Sequence, residues 1–317
     1  MSMIFDRLKE KPKRVIFAEG EQNEIIKVAA KWRDSGYGTP ILIGKDKVIS
    51  EKMTDFGIKR EGIEIHNAAI CSENDKYSDY IYEKLQREGV LHSDCERMVK
   101  TDRNIFASAM LSLNHGDCLV TGLTRGYRKN LHDISKVIKH KEGEVSLGMS
   151  ILISKNRTVF VSDTACSELS SSERLAQIAI QTAKKVEDMG FKPIVAFLSY
   201  SNFGSALNTE SSRIKEAVSI LDGQKVNFEY DGEMTADVAL NKEKRDKYPF
   251  CRLTDAANIL ICPGLHSANI ATKLLEEFSE CSVIGPILTG FEKPVQIVTM
   301  RSSIDEILNM TALAAID

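Results

Sequence analysis

The sequence predicts a parallel α/β fold, and two observations carry this prediction. Short apolar runs rich in β-branched residues recur along the chain, as expected for strands that are buried on both faces of a sheet. Segments with helical periodicity separate most of these runs, and strand–helix alternation is typical of sheets built from parallel strands. With 317 residues, the chain fits two domains of about 150 residues each.

The strand predictions follow the apolar runs in chain order. They cover residues 14–18, 40–43, 118–121, 150–154, 158–162, 193–198, 258–262, 282–284 and 295–298. The runs at 150–154 and 158–162 flank the tripeptide Lys155-Asn-Arg157, and this arrangement predicts a hairpin with an antiparallel strand pair.

The helix predictions rest on capping signals and on periodic apolar positions. The segment Ser170-Ser-Ser-Glu resembles a capping box at a helix start, and Gly190 is placed to end that helix. Other helices are predicted at 21–35, 102–113, 210–221 and 267–278, and an amphipathic helix is predicted to end the chain.

Two short segments are candidate domain crossings. The polar stretch 139–144 leaves the first domain, and Lys293-Pro294 returns the chain to it. We therefore predict a discontinuous first domain, 1–143 with 296–317, and a second domain, 144–295.

Composition argues against several classes of function. A net charge of −3 gives no electrostatic case for binding nucleic acid or an anionic membrane. No run approaches the roughly 18 apolar residues of a membrane span, and the N-terminus lacks a secretory pattern, so we expect a cytoplasmic protein. Neither the seven scattered cysteines nor the six histidines show the spacing of a metal site, and we expect no metal.

Polar turns rich in small residues follow several predicted strands. They lie at 19–21, 121–128, 163–166, 199–205, 263–269 and 285–290. Glycines let a ligand approach the backbone, while hydroxyls and amides donate to anionic oxygens. The candidate binding residues in these turns are Ser199, Ser201, Asn202, Asn269, Gly285 and Pro286.

Three arginines are candidate phosphate ligands, and two of them, Arg125 and Arg128, flank a Gly-Tyr pair in the turn at 121–128. Arg103, Arg125 and Arg128 carry guanidinium groups, whose forked geometry matches phosphate. The alternative is a surface arginine that is solvated or paired with a carboxylate.

Glu306 has two competing interpretations. The segment Ser303-Ile-Asp-Glu306 is an S-x-x-E capping box, in which the glutamate accepts a backbone N–H at the helix start. Alternatively, its carboxylate accepts a proton as a general base. The capping motif favours the first interpretation.

Taken together, these motifs resemble the phosphotransacetylase family of phosphate acetyl/butyryltransferases. The resemblance covers essentially the whole chain, and its most specific parts are Ala268-Asn-Ile and Ile284-Gly-Pro-Ile-Leu-Thr-Gly-Phe-Glu-Lys-Pro-Val. It implies two α/β/α domains with isocitrate/isopropylmalate-dehydrogenase-like topology, an interdomain cleft and a homodimer. It also implies acyl exchange between CoA and phosphate, without metal or prosthetic group, so the expected ligands are acetyl-CoA, CoA, and phosphate or acetyl phosphate.

A subgroup resembles the chain more closely. Phe228-Glu-Tyr-Asp-Gly-Glu-Met and Asn309-Met-Thr-Ala-Leu-Ala are similar to the phosphotransacetylase-like C-terminal domain of large bacterial malic enzymes. The resemblance therefore implies an alternative function, an acetyl-CoA-sensing regulatory domain whose partner is a malic-enzyme catalytic domain.

The resemblance also assigns roles to residues near the C-terminus. In the family a carboxylate deprotonates the CoA thiol, a serine assists the transition state and arginines bind phosphate. Aligning the Gly-Pro-Ile-Leu motif without gaps places Thr299 at the serine, Met300 at the arginine and Glu306 at the carboxylate. A further family arginine falls near His132.

These departures predict a weak or lost transferase activity. Arg103 is the candidate that retains a phosphate contact, which makes Glu306, Thr299 and Arg103 the candidate catalytic residues. Met300 and Arg301 are assigned to substrate binding, and a shift of one residue would instead place Arg301 at the family arginine.

Overall fold

The computed structural model describes residues 2–205 and 209–317, and the chain packs as two compact units. The first unit comprises Met1–His140 and Phe291–Asp317, and the second comprises Lys141–Gly290. The predicted domain boundaries, 1–143 with 296–317 and 144–295, stay a prediction. Within the described ranges, no helix has the length and apolar character that a membrane span requires.

Strands and helices alternate through both units. The strands are β1 (Val15–Phe17), β2 (Pro40–Ile43), β3 (Glu64–His66), β4 (Cys118–Thr121), β5 (Leu147–Ile153), β6 (Thr158–Ser162), β7 (Ile194–Leu198), β8 (Glu229–Met234), β9 (Ile259–Ile261), β10 (Ser282–Thr289) and β11 (Val295–Ile297). The helices are α1 (Ser2–Glu10), α2 (Asn23–Asp34), α3 (Asp46–Asp55), α4 (Asn74–Leu85), α5 (His92–Thr101), α6 (Arg103–Ser112), α7 (Tyr127–Ser135), α8 (Ser172–Asp188), α9 (Thr209–Gln224), α10 (Ala236–Leu240), α11 (Lys242–Arg245), α12 (Leu265–Phe278) and α13 (Ile304–Ile316).

The first unit contains a parallel sheet in the order β11-β4-β1-β2-β3. Every residue of β1, β2, β4 and β11 is buried. Burial on both faces explains why these sequences are mainly apolar, with Thr121 and Gln296 as buried polar exceptions. The side chains of Phe17, Trp32 and Phe106 are fully buried in this unit. The α/β prediction is therefore confirmed for this part of the chain.

The second unit contains a mixed sheet in the order β10-β5-β6-β9-β7-β8. β5 pairs antiparallel with both β6 and β10, whereas β6, β9, β7 and β8 pair in parallel. The hairpin predicted around Lys155-Asn-Arg157 is confirmed by the pairing of β5 with β6. The side chain of Ser171 caps α8, and Gly190, with φ of +87°, follows its end as predicted.

Two strands were missed by the sequence prediction. β3 and β8 lie at sheet edges and carry polar sequences, Glu-Ile-His and Glu-Tyr-Asp-Gly-Glu-Met. An edge strand is solvated along one side and does not need a continuous apolar run, so neither gives the pattern of a buried strand.

The predicted turn at Gly285 and Pro286 is wrong. Both residues lie within β10, where the register against β5 shifts between Ile284 and Ile287. Proline lacks an N–H for the ladder but is tolerated at a bulge in an edge strand, and β10 is such a strand. These two residues therefore do not form a loop after a strand.

The C-terminal helix is also less amphipathic than predicted. Its residues Leu308 and 310–315 are buried around most of the helix circumference. A helix that is apolar all round belongs in a protein interior. α13 packs between α1, α2 and the sheet, so it is a core element of the first unit.

A histidine joins α4 and α5 on the surface of the first unit. His92 Nε2 lies 2.7 Å from Asp79 Oδ1, and its Nδ1 lies 3.1 Å from Glu96 Oε1. The hydrogen bond to Asp79 raises the pKa of His92 above 6.5 despite desolvation, and Glu96 acts in the same direction. The protonated ring donates to both carboxylates at once.

We expect this histidine to make stability depend on pH. Because the folded-state pKa of His92 is raised, its contribution is fully present below the unfolded pKa of about 6.5 and is lost as pH rises through the folded pKa. The urea midpoint of His92→Gln should therefore fall below that of the wild type near pH 6, and the difference should shrink toward about pH 9. A difference that is constant with pH contradicts this assignment. The control is His266→Gln, an exposed histidine of the second unit.

Candidate functional site

The carboxyl ends of four parallel strands meet at one edge of the sheet in the first unit. β11, β4, β1 and β2 lie side by side, so the segments that follow them begin at this edge. Ligands of open α/β sheets generally bind at such an edge. Glu19 lies two residues after β1, and Arg125 lies in the loop that follows β4.

A pocket of about 230 Å³ opens beside the ends of β2 and β3. It is lined by Glu21, Ile43, Gly44, Lys45, Asn67, Ala68, Ala69, Lys100, Thr101, Arg103 and Arg125. This volume is below the range of about 300–1,000 Å³ for drug-sized ligands, and it suits a small anionic group. Its four cationic side chains come from different segments, which the fold brings together.

Three of these cations are available to a ligand. Within residues 2–205 and 209–317, the side chains of Lys45, Lys100 and Arg103 make no hydrogen bond or ion pair. The acid of the pocket, Glu21, accepts a hydrogen bond at Oε1 from the backbone N–H of Lys45 at 2.8 Å. Uncompensated positive charge at a strand-end edge favours binding of an anion.

Arg125, in contrast, is held by carboxylates. Its Nη1 lies 2.6 Å from Asp102 Oδ2 and 3.2 Å from Asp133 Oδ2. Burial lowers the pKa of Arg125, but hydrogen bonds and charges of the two carboxylates outweigh burial and raise it. Asp102 also caps α6, since its Oδ1 accepts from the backbone N–H of Asn104 at 2.9 Å. The same carboxylate therefore fixes Arg125 and the helix that begins with Arg103.

The loop after β4 is organised by Glu19, a side chain that is 1% exposed. Its carboxylate accepts hydrogen bonds from the backbone N–H groups of Gly122, Leu123 and Thr124 at 2.8, 2.6 and 2.8 Å, and from the Thr124 hydroxyl. The sequence predicts that backbone N–H groups of this loop donate hydrogen bonds to a ligand. These three N–H groups instead bind a carboxylate of the protein itself.

A buried polar network fixes the far side of the same loop. Thr121 Oγ1 donates to Asn104 Oδ1 at 2.8 Å, and Asn104 Nδ2 donates to Asn130 Oδ1 at 2.8 Å. Asn130 Nδ2 in turn donates to the Arg125 carbonyl at 2.9 Å. The start of α6, the end of β4 and the start of α7 are thereby locked together.

Asp163 plays a similar part in the second unit. It follows β6 and accepts from the backbone N–H groups of Gly148, Ala165, Cys166 and Ser167 at 2.8 to 3.0 Å. Burial raises the pKa of the Cys166 thiol well above its usual value, which favours the neutral thiol over the thiolate.

The predicted binding residues of the 199–205 turn lie together at the end of β7. Ser201 Oγ donates to Glu233 Oε1 at 3.0 Å, and Ser199 Oγ lies 3.3 Å from Ser201 Oγ. Asn202 Oδ1 accepts from the Thr235 backbone N–H at 2.8 Å. Their polar groups therefore tie this turn to the end of β8. Asn269 lies elsewhere, exposed on α12.

The C-terminal candidates lie on the loop between β11 and α13. Thr299 Oγ1 lies 3.0 Å from Ser302 Oγ, and Met300 is 62% exposed. Arg301 is exposed on this loop, and Arg128 is exposed on α7. The lining of the cationic pocket includes none of them, so of the predicted site residues the structure brings Arg103 and Arg125 together there.

The capping interpretation of Glu306 is confirmed. The Ser303 backbone N–H donates to Glu306 Oε2 at 2.7 Å, and the Glu306 backbone N–H donates to Ser303 Oγ at 3.3 Å. The general-base role of Glu306 stays a prediction.

We expect Ser303→Ala to destabilise the first unit by about 1 kcal/mol, because it removes the acceptor at the start of α13. Ser303→Asp keeps an acceptor at the positive end of the helix and should stay close to the wild type. Urea unfolding followed by fluorescence of Trp32, the only tryptophan, measures both variants. Equal losses in the two variants would contradict a capping role.

Two lysines of the site were not found from the sequence. Lys45 and Lys100 line the pocket, but neither stands in a recognisable motif. Lys45 follows Gly44 after β2, and Lys100 is the penultimate residue of α5. In the part of the chain that the structure describes, no group of His, Cys, Asp and Glu side chains is arranged to hold a metal ion.

Comparison with known proteins decides the family. The family model described as phosphate acetyl/butaryl transferase matches residues 1–315. The chain belongs to this family. The resemblance inferred from the sequence motifs is thereby confirmed, and the mixed α/β fold with two sheets agrees with it.

Individual relatives of the family fall into two groups. A probable NADP-dependent malic enzyme of Rickettsia prowazekii is 44% identical over the whole chain, and an NADP-dependent malic enzyme of Rhizobium meliloti is 43% identical. The chain spans only 43% and 42% of the length of these two relatives. A phosphate acetyltransferase of Clostridium acetobutylicum is 29% identical, and the match covers 99% of this chain and 96% of that protein.

A solved structure extends the comparison to the fold. A phosphotransacetylase from Streptococcus pyogenes superposes with a TM-score of 0.92 at 25% identity, covering 100% of this chain and 99% of that chain. The family is thus shared by malic enzymes and by phosphate acetyltransferases of this chain's length.

Proposed function

We propose that this chain binds acetyl-CoA or CoA together with phosphate or acetyl phosphate, and that it transfers the acetyl group between them slowly. The observation that carries the proposal is the pocket in which Lys45, Lys100 and Arg103 present unpaired positive charge at the carboxyl edge of the sheet. Membership of the phosphate acetyl/butaryl transferase family supports a phosphoryl group as its ligand.

The proposed reaction needs only groups of the protein and its substrates. The CoA sulfur attacks the carbonyl carbon of acetyl phosphate, its proton passes to the Glu306 carboxylate, and the carbon–oxygen bond to phosphate breaks as phosphate leaves with the electron pair. The Thr299 hydroxyl donates to the carbonyl oxygen, and the cations of the pocket hold the phosphoryl group. No metal or prosthetic group takes part in this scheme.

Met300 is the reason for a slow rate in this proposal. An uncharged thioether replaces the family arginine and is 62% exposed. Loss of a charge-assisted contact to phosphate in the transition state lowers a rate by about 30- to 1000-fold. We assign the binding of substrate groups beyond the phosphoryl to residues of the 199–205 turn, to Asn269 and to Arg301.

A thiol-release assay with acetyl-CoA and phosphate tests the proposed activity. We expect a slow, protein-dependent release of CoA from the wild type and a large gain in rate for Met300→Arg. Arg301→Met is the matched control, because it tests the alternative register in which Arg301 serves as the family arginine. No release above background from either the wild type or Met300→Arg contradicts the transferase proposal.

A second candidate function is acetyl-CoA sensing without turnover, coupled to a malic-enzyme catalytic domain. Identity of 43% and 44% to malic enzymes, against 29% to a phosphate acetyltransferase, favours it. Binding of acetyl-CoA without thiol release distinguishes the sensor from the transferase.

We also propose that the chain forms a homodimer through α12. Ile270, Leu274 and Phe278 recur every four residues on one face of this helix and are 58%, 52% and 87% exposed. An apolar face of this kind usually marks an interface, and two copies related by a two-fold axis can cover each other's face. Since β10 forms the sheet edge beside α12, the proposed contact extends along that edge.

Sedimentation analysis tests the dimer. We expect a dimer for the wild type and a monomer for Leu274→Glu, while Glu276→Gln, two residues from Leu274 and therefore on nearly the opposite side of the helix, should stay dimeric. A monomeric wild type at tens of micromolar contradicts the dimer.

A further inference from the structure

We propose that Glu19 is a positioning residue for the cationic pocket, and that it acts by filling the ring of N–H groups that a ligand phosphate would otherwise occupy. This inference rests on the proposed function, because it concerns how the same pocket holds a phosphoryl group.

Glu19 is buried, and its carboxylate is held by backbone N–H groups. A carboxylate that is 1% exposed is costly unless its oxygens are hydrogen-bonded. Here three consecutive backbone N–H groups and one hydroxyl converge on it. Such a concave arrangement of N–H groups is a typical anion site, and in this protein its anion is a side chain from the segment that follows the neighbouring strand β1.

The Glu19 carboxylate holds the loop that precedes Arg125. Gly122, Leu123 and Thr124 immediately precede Arg125, which lines the pocket. The loop folds back on Glu19 because Gly122 has φ of +132°, a conformation that glycine adopts readily. Without the carboxylate, the three N–H donors lose their shared acceptor and the loop loses the contact that fixes its conformation. Arg125 then keeps only its contacts to Asp102, Asp133 and Asn130.

Side-chain cations bind the anion in this site, because Glu19 occupies the backbone N–H groups. Since Glu19 uses the N–H groups of the loop, recognition of an anion is left to side-chain cations, of which Lys45, Lys100 and Arg103 are available. The position of Arg125 relative to these three then depends on the loop that Glu19 holds. Glu19 therefore affects binding of the anion without contacting it.

Chemical rescue tests this inference. Glu19→Ala removes the Cγ methylene and the carboxylate. Acetate consists of a methyl group and a carboxylate, so it can fill the space that these two groups leave. We expect the affinity of Glu19→Ala for inorganic phosphate, measured by calorimetry, to fall about tenfold or more. Acetate should restore most of that affinity, whereas chloride at equal ionic strength should not. Glu19→Gln, whose amide still fills the space, should bind phosphate weakly and show no rescue.

Controls separate positioning from general stability. Asp163→Ala removes the corresponding carboxylate of the second unit and should leave binding of phosphate unchanged. Fluorescence of Trp32 reports whether the first unit of each variant is folded. If Glu19→Ala is unfolded, acetate-dependent recovery of the Trp32 signal supports the inference and its absence contradicts it.

The outcomes distinguish the two proposals. Wild-type affinity for phosphate in folded Glu19→Ala, or a loss that acetate does not reverse, overturns the positioning role and leaves the pocket standing. Absence of phosphate binding by the wild type contradicts the proposed function of the pocket itself.

Discussion

Replacing Arg103 with alanine is expected to weaken binding of phosphate by about 30-fold or more. Arg103 is the first residue of α6, is half-buried, and makes no ion pair in the described part of the chain, so its guanidinium is free to bind a ligand in a forked geometry. Calorimetric titration with inorganic phosphate measures the loss. The affinity should also fall as salt concentration rises, because cationic side chains carry the attraction.

Arg97→Ala is the matched control for this variant. Arg97 lies on the neighbouring helix α5, is largely exposed and pairs with Asp94 at 2.8 Å. Its removal changes the net charge by the same amount but does not touch the pocket. Equal affinities in Arg103→Ala and Arg97→Ala would show that only the overall charge matters, and would contradict a specific role for Arg103.

Replacing Gly122 with alanine is expected to destabilise the first unit by about 3 kcal/mol or more. A Cβ atom at this position would lie 2.0 Å from the backbone oxygen of Val298, and the φ of +132° is one that side chains with a Cβ rarely adopt. The atoms nearest to this Cβ are the backbone O, C and N of Val298, so the clash cannot be relieved by rotating a side chain. The loop after β4 and the segment after β11 must therefore separate.

Gly126→Ala provides the control within the same loop. Gly126 has φ of −59°, and a Cβ atom there meets nothing within 4 Å. The free energy of unfolding of Gly126→Ala should remain within about 1 kcal/mol of that of the wild type, because the loss of a glycine cap is partly offset by a less flexible unfolded chain. Urea unfolding followed at Trp32 compares the two variants, and a similar small effect in both contradicts the close approach at Gly122.

The buried strands were predictable from the sequence because burial on both faces leaves a continuous apolar run. β2, β4 and β6 begin and end where the runs do. The edge strands β3 and β8 carry no such run, because one side of each is solvated. Missing β3 had a consequence for the site, since Asn67 and Ala68, which follow it, could not be recognised as part of a strand-end pocket.

The candidate site was predictable only in part, for a similar reason. Arg125 stood out because its guanidinium lies in a glycine-containing turn after a strand. Arg103 was selected because the family resemblance left it as the candidate that retains a phosphate contact. The partners of Glu19 lie 103 to 105 residues away along the chain, and only the pairing of β1 with β4 brings them together. Local capping, by contrast, depends on residues three apart, and the capping box at Ser303 could therefore be read directly.

Titration of the purified chain with acetyl-CoA in a calorimeter tests the central claim most directly. We predict saturable binding with one site per chain, weakened by salt, competed by inorganic phosphate and reduced in Arg103→Ala but not in Arg97→Ala. Absence of saturable binding of both acetyl-CoA and CoA, or binding that Arg103→Ala leaves unchanged, would contradict the assignment of this pocket.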